Sequence, residues 1–306
     1  MNTNTVTYTR TTSRLFAYSR WDMIPVLAAG LQGAYLVSLF FLFPRLPWWA
    51  LGLLGAIYSV SISWNLNGIA HNFIHNPYFC SPRFNRLFST FESLVLGSSQ
   101  TLYDCVHKRH HQGNSDRPDE TGETIDWLSI YRHSKDGEAE SVWAYTFLGY
   151  FRDDVRQTYR VLKARSRVDA QWGVFEIGLV LSLYLSILIL NWRFMVYFLP
   201  FYYLGHSLSN LNGYYRHYGA NPDVPIAWGV SNYGFLYNLI WFNNGYHAEH
   251  HYRPRIHWTK MSVLHKQIRE DMKAAGVRVI STPHALGFLD RTLPRRRKVA
   301  LRGQPA

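Results

Sequence analysis

Charged residues are scarce in this sequence, making up 17% of its 306 residues, against roughly 25% in a typical soluble domain. Aromatic residues, by contrast, reach 16%. Cysteine is nearly absent, since Cys80 and Cys105 are the only two, and this excludes a disulfide framework and a cysteine-rich zinc site. The composition predicts a protein with lipid-covered surface and thiols that belong to a reducing compartment.

Apolar residues are concentrated in four runs that are long enough to cross a bilayer core as helices of about 20 residues. The runs cover residues 24–43, 48–70, 174–191 and 194–212, and Glu176 is the only charged residue inside them. Short connections join the runs at residues 44–47 and 192–193. The pattern predicts an all-α integral membrane protein, one unit over residues 1–306, with four transmembrane helices in two hairpins.

Basic residues are distributed asymmetrically around these runs. Of 32 Lys and Arg residues, only Arg45 and Arg193 lie on the side of the short connections. Because basic loops stay in the cytoplasm, residues 71–173 and 213–306 are expected to form a helical cytoplasmic cap, in a bacterium at the inner membrane. The net charge of +12 follows from this topology. Without a recognised nucleic-acid-binding module, no nucleic acid partner is expected.

Two further stretches have amphipathic spacing. Residues 87–106 place Phe88, Phe91 and Val95 near one helical face, which predicts one interfacial helix rather than a fifth span. Residues 261–275 predict a second amphipathic helix. The basic run at residues 295–298 predicts a flexible, lipid-facing tail.

Eight of the 14 histidines fall into three short groups beside the apolar runs. The groups are His71 with His75, His107 with His110 and His111, and His247 with His250 and His251. Residues three and four apart share a helix face, so each group can direct imidazoles to one point. Buried histidines crowded in this way would leave ring nitrogens without partners, which favours metal binding. The isolated histidines are expected to be ordinary hydrogen-bonded residues: His133, His257, His265 and His284.

Eight or more imidazoles exceed the four ligands of a structural zinc site, so two metal ions are predicted. Imidazole binds iron, copper and zinc alike, so ligand type leaves the metal open. Soluble di-iron bundles use Glu-x-x-His pairs, and this sequence has none. A metal-binding membrane receptor or transporter is the non-enzyme interpretation. A transporter would usually place its polar site at mid-bilayer, whereas these histidines lie at one membrane face.

The patterns H-x3-H, H-x2-H-H and H-x2-H-H, set around two pairs of apolar runs, resemble the signature of the membrane fatty acid desaturase and hydroxylase superfamily. The resemblance extends from residue 24 to about residue 258. It implies a non-haem di-iron centre, O2 as co-substrate, and a fatty acyl or similar long-chain lipid substrate. Desaturation or hydroxylation of an unactivated C–H bond is implied first. Oxidative decarboxylation of a free fatty acid to a terminal alkene is the alternative.

The same resemblance implies which residues hold iron: His71, His75, His107, His110, His111, His217, His247, His250 and His251. His217 is preferred as the ninth ligand over His206, which lies inside a predicted span. Arg216 and Asn72 stand where many relatives have acidic residues. The side chains that could orient ligand rings are Asn72, Asp104 and Asn244, with Glu92, Asn243 and Glu249 as further candidates.

Electrons have to come from another protein. The sequence has no G-x-G-x-x-G dinucleotide motif, no cysteine cluster for iron–sulfur and no appended haem domain. A ferredoxin, rubredoxin or similar carrier with its reductase is therefore expected, and the basic cytoplasmic surface suits an acidic carrier.

Overall fold

The computed structural model describes residues 15–134 and 137–293, so the predicted basic tail lies outside the described residues. Within the described ranges the chain is helical without β-strands, which confirms the all-α class. The helices are α1 (Met23–Leu42), α2 (Trp48–Asn65), α3 (His71–His75), α4 (Pro82–Leu96), α5 (Gln100–Gly113), α6 (Val142–Leu148), α7 (Val155–Arg165), α8 (Arg167–Leu190), α9 (Trp192–His217), α10 (Phe235–Ile240), α11 (His247–Tyr252) and α12 (Met261–Ala274). The last of these confirms the predicted amphipathic helix near the C-terminal end.

Three helices in the described part of the chain are long and apolar enough to cross a membrane. They cover Arg20–Arg45, Trp48–His75 and Arg167–Leu190, and they support an integral membrane protein. The predicted fourth span corresponds to α9, which has 26 residues and is half buried. It packs along α2, where Ser59 Oγ donates to the Phe201 carbonyl oxygen at 2.7 Å. α9 is less apolar than the other three helices, but many of its polar residues are buried and so avoid lipid contact. Its role as a span stays a prediction.

The helix pairs α1–α2 and α8–α9 are each joined by a short turn, and the two turns lie side by side. Phe43, in the first turn, packs edge to face against Phe194 at the start of α9, with ring centroids 5.5 Å apart. The far ends of α2 and α9 therefore also lie together. His217 is the last residue of α9, and His71 follows α2 after residues 66–70.

The prediction of one amphipathic helix over residues 87–106 is wrong, because α4 and α5 share this stretch. Gly97 ends α4 with φ +68°, and Ser99 caps α5 by accepting from Leu102 N at 3.1 Å. A Cβ on Gly97 would lie 1.9 Å from the Tyr184 hydroxyl oxygen, so glycine is required here both by space and by the left-handed backbone. The break separates α5, which carries the second histidine group, from α4.

Glu176, in the apolar part of α8, is fully buried and joins α8 to α4 and α5. Its Oε1 accepts from Ser89 Oγ at 2.6 Å and from Thr101 Oγ1 at 3.1 Å. Its Oε2 accepts from Ser99 Oγ at 2.6 Å and from Thr101 N at 3.0 Å. A carboxylate with this many donors is well satisfied without water, and it fixes the first turn of α5 against the membrane helices.

Candidate metal centre

The first histidine group is positioned by a change of helix type. After Asn65, α2 continues through a π-helical turn, Leu66–Ala70, directly into α3. All five residues of this turn are buried, and the Tyr78 hydroxyl donates to the Ile69 carbonyl oxygen at 2.8 Å. Such turns change which residues share a helix face and are frequent at functional sites. Here the turn delivers His71 and His75 to the interior.

Five histidines from three helices form the first candidate ligand group: His71, His75, His107, His111 and His250. One nitrogen from each ring can be chosen so that all five atoms lie within 4.8 Å of one another. The Nε2 atoms of His71 and His250 are 2.8 Å apart, and those of His75 and His107 are 2.9 Å apart. Two nitrogens bound at right angles to one metal ion at about 2.1 Å would lie roughly 3 Å apart. The spacing therefore fits a single ion among the five rings.

Four histidines form a second group beside it: His110, His217, His247 and His251. All four are buried, and the Nε2 atoms of His217 and His247 lie 3.1 Å apart. The rings come from α5, from the end of α9 and from α11. His217, the predicted ninth ligand, thus lies inside this group.

Hydrogen bonds fix the orientation of three rings in the second group. His110 Nδ1 donates to the Asp126 carboxylate at 2.7 Å, and His217 Nδ1 donates to a main-chain carbonyl oxygen at 3.0 Å. His251 Nδ1 donates to the side-chain oxygen of Asn114. A neutral imidazole carries one N–H, so all three Nε2 atoms present lone pairs toward one small region. Converging lone pairs repel one another and fit a cation at their centre.

The two His–His doublets are divided between the groups. His111 and His250 belong to the first group, whereas His110 and His251 belong to the second. Consecutive helical residues point about 100° apart, so each doublet can serve two ions that stand side by side. The rings of His111 and His251 stack with centroids 4.2 Å apart, which shows how closely the groups adjoin.

Burial keeps the rings uncharged. In five rings outside the apolar spans, burial is the largest cause that lowers the pKa well below the ordinary histidine value. The next cause is the unfavourable interaction of a protonated ring with a neighbouring histidine or with Arg216. These rings are His107, His111, His247, His250 and His251. A neutral imidazole is the form that binds metal, so the rings are ready to act as ligands at neutral pH.

The side chains predicted to orient the ligand rings lie elsewhere. Asn72 donates to a main-chain carbonyl oxygen at 3.4 Å and Asn244 to another at 3.1 Å. Asp104 pairs with Lys108 at 2.6 Å. Among the described contacts, none of the three hydrogen-bonds a histidine ring.

Asp126 and Asn114 hold the rings instead, and neither is among the residues predicted from the sequence. Asn114 adopts φ 49° at the end of α5, a conformation in which Asn is enriched. An Asn three residues after His111 is therefore a sequence signal for the end of this helix beside the ligand rings. Asp126 lies in an irregular loop, where no helical spacing connects it to His110.

Among the described contacts, none of the remaining candidates hydrogen-bonds a ring of the two histidine groups. Glu249 accepts from His265 Nδ1 at 2.6 Å, and Asn243 donates to a main-chain carbonyl oxygen at 3.0 Å. Glu92 is buried in α4, and burial raises its pKa to about 8. His206 Nε2 lies 3.1 Å from a main-chain carbonyl oxygen and belongs to neither histidine group.

The isolated histidines differ among themselves. His257 hydrogen-bonds Asp22 at 2.9 Å, and His284 donates to the Val230 carbonyl oxygen at 2.9 Å. With His265, they confirm the expected ordinary role. His133 instead lies on the wall of a cavity.

This cavity, of about 470 Å³, reaches both histidine groups. Rings of both groups line its inner end: His71, His107, His110, His217 and His247. Its apolar wall comes mainly from α5 and α8: Leu102, Val106, Ile177, Val180 and Leu181. The volume lies in the usual range for small-molecule sites. An elongated apolar molecule can therefore lie between the membrane helices with one part beside the histidines.

The family model and the relatives that match this chain are described as desaturases. The family model described as "Fatty acid desaturase" matches residues 46–283. A "Sphingolipid delta(4)-desaturase DES1-like" protein of Oryza sativa subsp. japonica is 26% identical over 201 residues, covering 64% of this chain and 58% of that protein. A protein of the same description from Arabidopsis thaliana is 26% identical over 210 residues, covering 65% and 58%.

A "Sphingolipid delta(4)-desaturase" of Schizosaccharomyces pombe is 26% identical over 257 residues, covering 79% of this chain and 67% of that protein. The chain spans 58% of the length of the two plant proteins. The matched region of the family model contains all nine histidines of the two groups.

Proposed function

Because the chain belongs to the fatty acid desaturase family, we propose that it is an O2-dependent di-iron oxidoreductase that desaturates or hydroxylates a long-chain lipid. The observation that carries the proposal is the convergence of nine imidazoles, seven of them buried, in two adjoining groups at the end of an apolar cavity. Iron held there would supply the oxidising power to remove hydrogen from an unactivated C–H bond. The protein's part is to hold the ions, orient the chain and keep water away.

The two groups give each ion its own set of rings. The first ion would be held by His71, His75, His107, His111 and His250, and the second by His110, His217, His247 and His251. Asp126 and Asn114 would keep two rings of the second set turned with Nε2 inward. Such outer partners usually matter to metal affinity nearly as much as the ligands.

The substrate is proposed to be a fatty acyl or similar lipid whose chain lies along the apolar wall of the cavity. Sphingolipids are named in the descriptions of the relatives, and a sphingolipid-like lipid is one candidate for this chain. Turns of α1–α2 and α8–α9 lie on the side away from the histidines. With the basic residues on the histidine side, we place that side in the cytoplasm, which in a bacterium means the inner membrane, and α9 as the fourth span.

The electron donor is proposed to be a separate acidic carrier such as a ferredoxin or rubredoxin with its reductase. The net charge of +12 would attract such a partner to the cytoplasmic face.

Metal analysis and product analysis together test the proposal. The purified protein is expected to hold two irons per chain. His110→Ala and His250→Ala each remove a ligand from a different group and should each lower the iron content and abolish oxygen-dependent turnover. His206→Ala changes a buried histidine outside both groups and should retain the iron.

Membranes containing the protein would be incubated with candidate long-chain lipids, O2 and a reducing system, and products identified by mass spectrometry. A double bond or an added hydroxyl is expected. One zinc per chain, or no metal with no oxygen-dependent product, would support the receptor or transporter interpretation instead.

A further inference from the structure

Arg216 is a buried cation beside both histidine groups. It directly precedes His217 in α9, is 4% exposed, and lines the inner part of the 470 Å³ cavity together with His71 and His247. Its positive charge contributes to the lowered pKa of His247. A guanidinium stays charged in a protein, so this charge is permanent.

Arg216 has few partners for a buried guanidinium. Its Nη2 lies 3.5 Å from the Asn67 carbonyl oxygen, which is a long contact. Its Nε has no hydrogen-bond partner. Among the ion pairs of the described residues, none joins Arg216 to an acidic side chain.

Arg152, at another part of the same cavity, shows the contrasting arrangement. Its two terminal nitrogens each lie 2.7 Å from an oxygen of Glu140. This charge is therefore neutralised within the protein. Arg216 is the cavity arginine that lacks such a partner among the described residues.

An uncompensated charge buried in protein is strongly unfavourable. The neighbouring imidazoles are neutral and offer it no countercharge. Neither histidine group includes a carboxylate, and metal ions bound there would add further positive charge. The inner end of the cavity therefore holds a positive charge without an acidic partner among the described residues. An anion that enters the cavity would pair with Arg216.

We infer that Arg216 binds the carboxylate of a long-chain acid that enters the cavity with its polar end toward the histidines. The planar guanidinium fork matches a carboxylate, and one carboxylate balances one arginine, whereas a phosphate monoester carries nearly two charges. The alkyl chain would then lie along the wall formed by Leu102 and Val180. This inference rests on the proposed lipid-oxidising function, and it places the carbons next to the carboxylate nearest the metal ligands.

A second cavity, of about 460 Å³, is consistent with an anionic amphiphile. It shares three wall residues with the first cavity: Leu102, Val155 and Ile177. Three further residues on its wall are basic and come from α7: Arg156, Arg160 and Lys163. Basic side chains at a membrane surface attract anionic lipid, so a lipid acid held in this second cavity would lie next to the cavity that reaches the histidines.

Equilibrium binding to the purified protein in detergent tests the inference without turnover. The probes are palmitate, methyl palmitate and hexadecyl phosphate, each competed against one fluorescent fatty acid. Wild type should bind palmitate at least tenfold more tightly than methyl palmitate, and more tightly than hexadecyl phosphate. Arg216→Gln should remove the preference for palmitate while changing methyl palmitate binding less than twofold, and Arg216→Lys should retain part of it. Arg152→Lys changes the paired cavity arginine but keeps the positive charge beside Glu140, so it should keep the full preference.

Three results would overturn the inference: an unchanged palmitate preference in Arg216→Gln, an equal loss of acid and ester binding in that variant, or displacement of palmitate by millimolar chloride. The first two would show that the charge is not the recognition element or that Arg216 is structural. The third would mean that a small inorganic anion is the partner. Because binding is measured without oxidation, a protein that keeps the palmitate preference but lacks iron and oxidised product would contradict the proposed function alone.

Discussion

Single residues outside the proposed metal ligands decide which ring nitrogen faces the proposed metal position. Asp126 Oδ2 accepts from His110 Nδ1 at 2.7 Å and from the Ser115 main-chain N–H at 2.8 Å. The same carboxylate therefore holds both the ring and the loop that follows α5. An anionic acceptor also makes the imidazole a stronger metal ligand.

Asp126→Asn should weaken iron binding by roughly 10- to 100-fold, since this is the usual effect of losing such a partner. The amide keeps the size of the side chain but removes the negative charge that holds the His110 N–H. Retention of iron against a chelator series would measure the change. Asp104→Asn is the control, because Asp104 pairs with Lys108 and Arg165; equal iron loss in both variants would contradict the role given to Asp126.

At the scale of elements, the site depends on holding the ends of four helical segments together beneath the apolar spans. The π-helical turn and Gly97 set the directions of α3 and α5. Glu176 then ties α8 to the start of α5 through four hydrogen bonds. The rings on α5 are thereby fixed relative to the membrane helices.

Glu176→Gln should lower the free energy of unfolding by roughly 3 kcal/mol, because an amide nitrogen would face donors in place of a carboxylate oxygen, and hydrogen bonds to a charged group contribute about 1.5–3 kcal/mol. Thermal unfolding in detergent would measure the loss. Ser182→Ala lies on the same helix, and its hydroxyl donates only within α8, to Gly178. Ser182→Ala should change stability little, and an equal effect of both substitutions would argue against the role given to the hydrogen bonds of Glu176.

For the whole molecule, the concentration of neutral histidines makes stability depend on pH. Five rings outside the spans have a pKa well below the unfolded value because they are buried: His107, His111, His247, His250 and His251. Below about pH 6.5, the unfolded chain takes up protons that the folded protein does not. Stability is therefore fully present above that pH and falls as the pH drops.

Metal-free protein should accordingly lose stability between pH 7.5 and pH 5.5, with each such ring contributing up to about 1.4 kcal/mol per pH unit below its unfolded pKa. Melting temperatures recorded over this range would show the decline. A flat profile would mean that the rings are accessible to protons in the folded state.

At the scale of the whole molecule, the net charge of +12 should also govern association with the proposed electron donor. With an acidic ferredoxin-type carrier, turnover should fall several-fold as salt rises from about 50 mM to 500 mM, because added ions screen the attraction between the surfaces. Turnover supported by a small chemical reductant is the control and should change little. Turnover that is independent of salt with the protein carrier would argue against electrostatic docking.

Much of the site could be read directly from the sequence because its information is local. The spacing of His71 and His75, and of each leading histidine with its doublet, depends only on helix geometry, and apolar runs follow from bilayer thickness. The structure brings all eight histidines of the three sequence groups into the two candidate ligand groups, with His217 as the ninth member. Which ring faces which group is not local. It follows from the packing of α5 against α11 and α9.

Tertiary structure alone decided the features that join distant parts of the chain. Asp126 meets His110 through a loop without periodicity, and Gly97 breaks a stretch whose apolar spacing favours one helix. The polar character of α9 is explained only by its burial against α2. Arg216 is an ordinary basic residue in the sequence, and only the fold shows that its charge is enclosed, beside the histidines and without an acidic partner among the described residues. Helical periodicity and hydrophobicity are properties of neighbouring residues, whereas burial and pairing depend on which segments the folded chain brings together.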